Sequence, residues 1–140
     1  MSTLPRSLDQ LSKVVIAFTD GRRQCGYTYN FSAMREAFDL LPPDDPLQQR
    51  GIRVALKDLK AIFFVRDFSG TREQRTRQYI ESGEHGRKIE IVCSDGETIV
   101  GKTEGYNPQK PGFFVFPGDK GDNNARIFVI NKNAKRVRFV

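Results

Sequence analysis

The feature that most constrains this chain is an internal repeat with an offset of 75 residues. The segment from Lys13 to Gly21 matches the segment from Lys88 to Gly96, and the register continues without a gap to Val65 and Val140. Fifteen of the 53 aligned pairs are identical. Because the identities include glycine, proline and apolar positions in one register, the sequence indicates a duplication. We call residues 13–65 the N-terminal copy and residues 88–140 the C-terminal copy.

Each copy has the two-residue period of β-strands. Val14, Ile16 and Phe18 alternate with the neighbouring residues, as in a strand with one buried face. An Asp-Gly pair follows the first strand in each copy and is typical of a two-residue hairpin turn. The second strand carries a glycine in its interior (Gly26 or Gly101), which permits a sharp bend.

Three further strands are predicted in each copy, with a tight turn before the last of them. They are Phe38–Leu41, Ile52–Leu56 and Ala61–Val65 in the N-terminal copy, and Phe113–Phe116, Ile127–Ile130 and Arg136–Val140 in the C-terminal copy. The sequence therefore predicts an all-β protein of two tandem SH3-like or Sm-like five-stranded small barrels. Copies of this size are marginally stable alone, so the barrels should pack on each other or on other chains. Phe63, Phe114 and Phe116 are candidates for that contact, or else cover their own barrel.

The predicted domain organisation has four parts. Residues 1–12 form a short helical lead-in with Ser7 as the N-cap, and residues 13–65 form the first barrel. Residues 66–87 form a polar linker in which Thr71 and Gln74 could cap a short helix. Residues 88–140 form the second barrel.

Composition narrows the function classes. No apolar run is long enough to span a bilayer, and no secretory signal is present, so we expect a cytoplasmic protein. The single histidine, His85, lies in the polar linker, and no Cys/His cluster has the spacing of a zinc site. Cys25 and Cys93 lie within strands, where buried small apolar residues are expected more often than reactive thiols. We therefore expect no enzyme, no metal and no cofactor.

The net charge of +6 is unevenly distributed. Residues 87–140 carry ten basic and six acidic side chains, against ten and eight in residues 1–70. The densest group lies at the end of the C-terminal copy, where Arg136 and Arg138 should share one strand face. This group could contact phosphates, or it could protect a sheet edge against aggregation.

The segment Ile89–Asn107 resembles the first motif of Sm-like barrels, with its apolar alternation, Asp-Gly turn, glycines and aromatic-Asn pair. Residues 126–138 resemble the second Sm motif. This resemblance implies the barrel fold and single-stranded RNA binding. The family's RNA-binding Asp is replaced by Ser32 or Asn107, and its Arg-Gly turn by Lys57-Asp58 or Lys132-Asn133.

A second resemblance concerns Leu59–Gly70 and Gly105–Pro117. Both segments look like an uncharacterised bacterial family that occurs alone or beside PilZ domains, which bind cyclic di-GMP. The resemblance implies a regulatory role in a bacterial cytosol. Asn30-Phe31-Ser32 is similar to the start of the PilZ ligand element, although Arg35 stands where that element has glycine.

Three hypotheses follow. The first is a non-catalytic interaction module that binds a protein partner, with self-association as one form of it. The second is RNA or single-stranded nucleic-acid binding through the basic C-terminal copy, and the third is cyclic di-GMP-linked signalling. The candidate binding residues lie in the turn after the second strand and in or after the last turn of each copy. They are Asn30, Ser32, Arg35, Lys57, Tyr106, Asn107, Lys110, Lys132, Asn133, Lys135, Arg136 and Arg138.

Overall fold

A computed structural model describes residues 10–47, 51–68, 86–117 and 124–140. These residues form ten β-strands and two one-turn 3₁₀ helices, Leu56–Asp58 and Asn131–Asn133. The strands of the N-terminal half are β1 Ser12–Phe18, β2 Arg23–Thr28, β3 Ala37–Leu40, β4 Ile52–Ala55 and β5 Leu59–Val65. Those of the C-terminal half are β6 Arg87–Cys93, β7 Thr98–Thr103, β8 Gly112–Val115, β9 Asn124–Ile130 and β10 Ala134–Phe139. The protein is therefore all-β, as predicted.

The strands are arranged in three sheets, and the largest combines both copies. Its order is β2-β1-β5-β9-β8, with the last strand of the N-terminal copy antiparallel to the fourth strand of the C-terminal copy. The other sheets are β10-β6-β7 and the hairpin β3-β4. None of the sheets formed by the described residues closes into a barrel. Two separate closed barrels are thus not confirmed, because the outer edge of β5 pairs with the other copy.

The five-stranded sheet is covered on both faces. Ile62 and Phe64 of β5 belong to a core with Phe38 and Val54 of the β3-β4 hairpin. Phe63, which lies between them in sequence, belongs to a second core formed with the β10-β6-β7 sheet. A strand buried on both faces has no polar alternation, which explains the apolar run from Ala61 to Val65 of β5.

Each core contains side chains from the other copy. Phe63 packs in the C-terminal core and Phe114 against the N-terminal core, so each contacts the other copy, as one of the two alternatives predicted. Phe116 remains partly exposed and lies 6.4 Å from the Phe114 ring. Phe31 also joins this contact, with its ring centroid 5.0 Å from that of Phe128.

The interior glycines allow the second and third strands of each copy to approach closely. A Cβ on Gly26 would lie 2.5 Å from the Leu41 carbonyl oxygen, and one on Gly101 would lie 2.6 Å from that of Phe116. Both oxygens accept hydrogen bonds from the residues that follow these glycines, Tyr27 and Lys102. The glycines are therefore required by a backbone contact.

Two local predictions need correction. The Asp-Gly turns occur where expected, with Gly21 and Gly96 both at φ 94°, but four residues separate β1 from β2 and β6 from β7. Of the predicted helical lead-in over residues 1–12, Ser12 lies in β1 and residues 1–9 lie outside the described residues. Ser7, Thr71, Gln74 and His85 lie outside the described residues. Within the described part of the chain, no helix is long and apolar enough to cross a membrane.

We expect Gly101→Ala to lower the free energy of unfolding by about 1–3 kcal/mol, since the new methyl group overlaps the Phe116 carbonyl. Gly105→Ala is the matched control, because a Cβ there meets no atom within 4 Å. Its effect should stay within roughly 0.5 kcal/mol. Urea unfolding of both variants measures the difference, and equal stabilities would contradict the close-approach interpretation.

Candidate functional site

Two neighbouring hollows lie on the surface where the copies meet, and they share Pro111 and Lys132 as walls. The larger has a volume of about 480 Å³ and the smaller about 290 Å³. Both copies line the larger hollow, through Glu36, Ala37, Ala55, Leu56, Lys57, Pro111, Ile130 and Lys132. The C-terminal copy alone lines the smaller one, through Tyr106, Pro108, Lys110, Pro111, Asn131, Lys132, Ala134 and Val137.

The 3₁₀ turns before the last strands supply the basic walls. In each turn a lysine is exposed, Lys57 in one copy and Lys132 in the other. The turn of the N-terminal copy also places Leu56 at the hollow, and Ile130 lies directly before the turn of the C-terminal copy. The floor is therefore apolar, and the rim carries Lys57, Lys110 and Lys132 against the single carboxylate Glu36.

Asparagine side chains hold the turns around the smaller hollow. The Asn131 Nδ2 donates to the carbonyl oxygens of Asn107 at 2.9 Å and Lys110 at 2.8 Å. The Asn107 Oδ1 accepts a hydrogen bond from the Gln109 backbone N–H at 2.9 Å. These bonds fix the position of Lys110 relative to the last turn of the copy.

A further asparagine connects the last turns of the two copies. The Asn133 Nδ2 donates to the carbonyl oxygens of Lys57 at 3.0 Å and Leu59 at 2.6 Å. The Asn133 carbonyl oxygen also accepts a bond from the Ser94 backbone N–H. Because Lys57 and Lys132 lie in the turns joined in this way, Asn133 sets the geometry of the larger hollow.

A buried ion cluster strengthens the same junction. The side chain of Lys60 on β5 is only 3% exposed and contacts Asp95 and Glu97 in the β6-β7 turn, with Nζ 2.7 Å from the Asp95 Oδ2. The Arg23 Nη2 lies 2.8 Å from the Glu97 Oε1. Two basic groups of the N-terminal copy thus hold two carboxylates of the C-terminal copy.

The pKa values follow from these contacts. Burial alone would lower the pKa of Lys60, but the hydrogen bonds to Asp95 and Glu97 raise it above its ordinary 10.5. Burial alone would raise the pKa values of Asp95 and Glu97, but the hydrogen bonds from Lys60 lower them below 3.8 and 4.5. Burial also raises the pKa of the nearby Cys93 thiol to about 11, so this thiol is protonated at neutral pH.

Four of the predicted residues surround the hollows: Lys57, Tyr106, Lys110 and Lys132. Tyr106 stacks edge-on against Phe113, with ring centroids 4.8 Å apart, and separates the smaller hollow from a third one of about 330 Å³. Lys57 and Lys132 extend from the equivalent turns that the sequence indicated.

Other predicted residues make hydrogen bonds within the protein. The Asn30 Nδ2 donates to the Asp39 Oδ2 at 3.0 Å, and the Ser32 Oγ accepts from the Met34 backbone N–H at 3.2 Å. Arg35 is exposed, and its backbone N–H donates to the Ser32 carbonyl oxygen. The turn containing them therefore shapes the chain next to Glu36.

Lys135, Arg136 and Arg138 form a separate group within β10 and line neither of the two hollows. All three are exposed. The Arg138 Nε donates to the Glu90 Oε1 at 2.9 Å, directly across the pair β10-β6.

Sequence reasoning did not identify Glu36, Leu56, Pro111, Asn131 or the buried Lys60 as parts of this region. Lys60 had a usable signal, because it is a lone cation in an otherwise apolar strand. The others had none, since their proximity depends on the pairing of β5 with β9.

The model of a family of unknown function, DUF6982, matches residues 12–140. The chain belongs to this family. The match covers both copies and begins at the first residue of β1. No curated protein and no solved structure matches the chain.

We expect Asn133→Ala to destabilise the protein by about 1–3 kcal/mol, because the carbonyl groups of Lys57 and of the buried Leu59 lose their donor. Asp58→Ala, at the equivalent position of the N-terminal copy, is the control and should cost less, since Asp58 is exposed. Thermal unfolding monitored by circular dichroism tests both. A smaller loss for Asn133→Ala than for Asp58→Ala would contradict the connecting role.

The ion cluster should make stability depend on pH at both extremes. The lowered pKa values of Asp95 and Glu97 contribute stability that is fully present above their ordinary values of 3.8 and 4.5, and this stability is lost as the pH falls through the folded values. The raised pKa of Lys60 contributes stability that is present below 10.5 and lost as the pH rises past its folded value.

Lys60→Met should lower stability at pH 7 by about 3 kcal/mol, the low end for a broken buried ion pair because the carboxylates stay partly exposed. It should also flatten the fall in stability below pH 4.5. Urea unfolding at several pH values measures this. Lys135→Met, the exposed repeat equivalent, is the control, and parallel acid curves for wild type and Lys60→Met would exclude the cluster as their origin.

Proposed function

We propose that this protein is a non-catalytic interaction module that binds an acidic, partly apolar segment of a partner protein in the two hollows. The observation that carries this proposal is the apolar floor shared by both copies, rimmed by Lys57, Lys110 and Lys132 with Glu36 as the one carboxylate of the lining. Hollows of this size accept several side chains.

The shape of the region favours an extended segment. The hollows lie side by side with Pro111 and Lys132 between them, so neighbouring apolar side chains of one segment could each occupy a hollow. The lysines would then contact carboxylates that flank those side chains, which supports selection of an acidic sequence. The walls are fixed by hydrogen bonds that the side-chain amides of Asn131 and Asn133 donate, so few residues need to become ordered when a segment binds.

The resemblances seen in the sequence support a bacterial cytosolic setting for this role. Each copy also has the five strands and the one-turn break that are typical of the small-barrel pattern.

We expect a display library of random 12-residue peptides, selected on the immobilised full chain, to yield sequences rich in Asp, Glu and large apolar residues. The selected peptides should lose at least tenfold in affinity for the double variant Lys57→Glu/Lys132→Glu, as measured by fluorescence anisotropy. The double variant Lys135→Glu/Arg136→Glu makes the same charge change outside the hollows and should bind normally. Selected peptides without acidic residues, or equal losses in both variants, would refute the proposal.

Nucleic-acid binding is a second candidate, supported by the exposed Arg136 and Arg138 on one face of β10. A 20-nucleotide oligo-dT titrated at several salt concentrations tests it. Binding that weakens steeply with salt and is lost in Lys135→Glu/Arg136→Glu would support this candidate, and no binding at about 50 mM salt would exclude it.

A further inference from the structure

The pairing that joins the two copies has an unused equivalent at each end of the molecule. Within the chain, β5 of the N-terminal copy pairs with β9 of the C-terminal copy. The 75-residue offset of the repeat makes β10 the equivalent of β5, and it makes β4 the equivalent of β9. Among the described residues β10 pairs only with β6, and β4 only with β3, so each has one free edge. A second chain could in principle repeat the pairing by placing its β4 beside β10.

Some residues at these edges show what the missing neighbour would cover. Ile52 on β4 is 51% exposed, whereas its repeat equivalent Ile127 on β9 is 5% exposed. Phe139 on β10 is 38% exposed, whereas its equivalent Phe64 on β5 is 5% exposed. Ile127 and Phe64 are more buried because β9 and β5 pair with each other, whereas β4 and β10 lack the equivalent pairing.

At other positions the free edges carry charged residues where the junction carries apolar ones, and these charges oppose pairing with a second chain. The C-terminal copy has one such position. Val15 of β1 and Phe63 of β5 are direct cross-strand partners and pack against the core of the other copy. Their repeat equivalents are Glu90 of β6 and Arg138 of β10, which are also direct partners and form an ion pair at 2.9 Å. The apolar pair Val15–Phe63 at the junction is thus replaced by the charged pair Glu90–Arg138 at the free edge of β10.

The same exchange occurs at the other end of the molecule. Phe114 of β8 and Phe128 of β9 are direct partners at the junction, with ring centroids 5.0 Å apart. Their equivalents are Asp39 of β3 and Arg53 of β4, which are direct partners and lie 3.6 Å apart as an ion pair. Both apolar pairs face the other copy, and both charged pairs lie where a further copy would have to bind.

We propose that the ion pairs Glu90–Arg138 and Asp39–Arg53 stop the chain from adding further copies of itself at β10 and β4. Covering these faces would remove four charged groups from water, at a cost that the Val15–Phe63 and Phe114–Phe128 pairs do not incur. Ile52, Val54, Val137 and Phe139 retain the apolar pattern of the junction, whereas Arg136, at the position of the buried Ala61, adds a further charge to the β10 edge. The chain is therefore a closed unit of two copies, and its self-association surface is latent.

The test restores the apolar pairs and measures mass by sedimentation velocity. One variant carries Glu90→Val/Arg138→Phe, which places the apolar pair of Val15 and Phe63 at the equivalent positions of β6 and β10. The other carries Asp39→Phe/Arg53→Phe, which places the apolar pair of Phe114 and Phe128 at the equivalent positions of β3 and β4. We expect the wild type and each variant alone to remain monomeric and a 1:1 mixture of the two variants to form a dimer. A chain with all four substitutions should form longer head-to-tail oligomers that grow with concentration.

Glu90→Gln/Arg138→Gln removes the charges without restoring apolar surface, and a mixture containing it in place of the β10 variant should stay monomeric. If the apolar variants do not fold, as judged by circular dichroism, Glu90→Thr/Arg138→Val and Asp39→Thr/Arg53→Val are mixed instead, with a weaker dimer expected. Folded variants that remain monomeric as a mixture would overturn the proposal. A wild-type oligomer that Val137→Pro in β10 dissociates would also overturn it, because the native edges would then already be in use.

Discussion

The antiparallel pairing of β5 with β9 is the contact on which the rest of this structure depends. It places Phe63 in the core of the C-terminal copy and Phe128 in the core of the N-terminal copy. Copies of about this size bury too little apolar surface to be robust alone, and each completes its core with residues from the other. The stable folding unit is therefore the pair, and the larger surface hollow at the junction exists only within the pair.

The two copies have the same strands but use equivalent positions differently. Lys60 and Lys135 are identical in the repeat, yet Lys60 is buried between carboxylates and Lys135 is exposed. The partners explain this difference, since the turn that Lys60 contacts contains Asp95 and Glu97, whereas the equivalent turn pairs Asp20 with Arg22. Equivalent positions of the repeat therefore differ in burial and charge at the junction because their contact partners differ.

Sequence reasoning predicted the strands well because each is a local pattern. The alternation of Val14, Ile16 and Phe18, the Asp-Gly turns and the break before the last strand all correspond to observed elements. It did not predict that the central sheet is shared, because pairing between residues such as Phe63 and Ile127 leaves no local periodicity. The apolar run from Ala61 to Val65 of β5 was the available sign of a strand buried on both faces.

The candidate site was predicted only in part for the same reason. Lys57 and Lys132 could be selected from the turns of the individual copies, and Tyr106 and Lys110 from the turn after the second strand. Their arrangement around an apolar floor depends on side chains from both copies.

The shared sheet also has a consequence for how the chain is made. A ribosome completes β5 well before it reaches β9, so the nascent N-terminal half exposes an apolar strand edge until the C-terminal half emerges. The order of synthesis therefore leaves a period in which this edge is open to pairing with other strands.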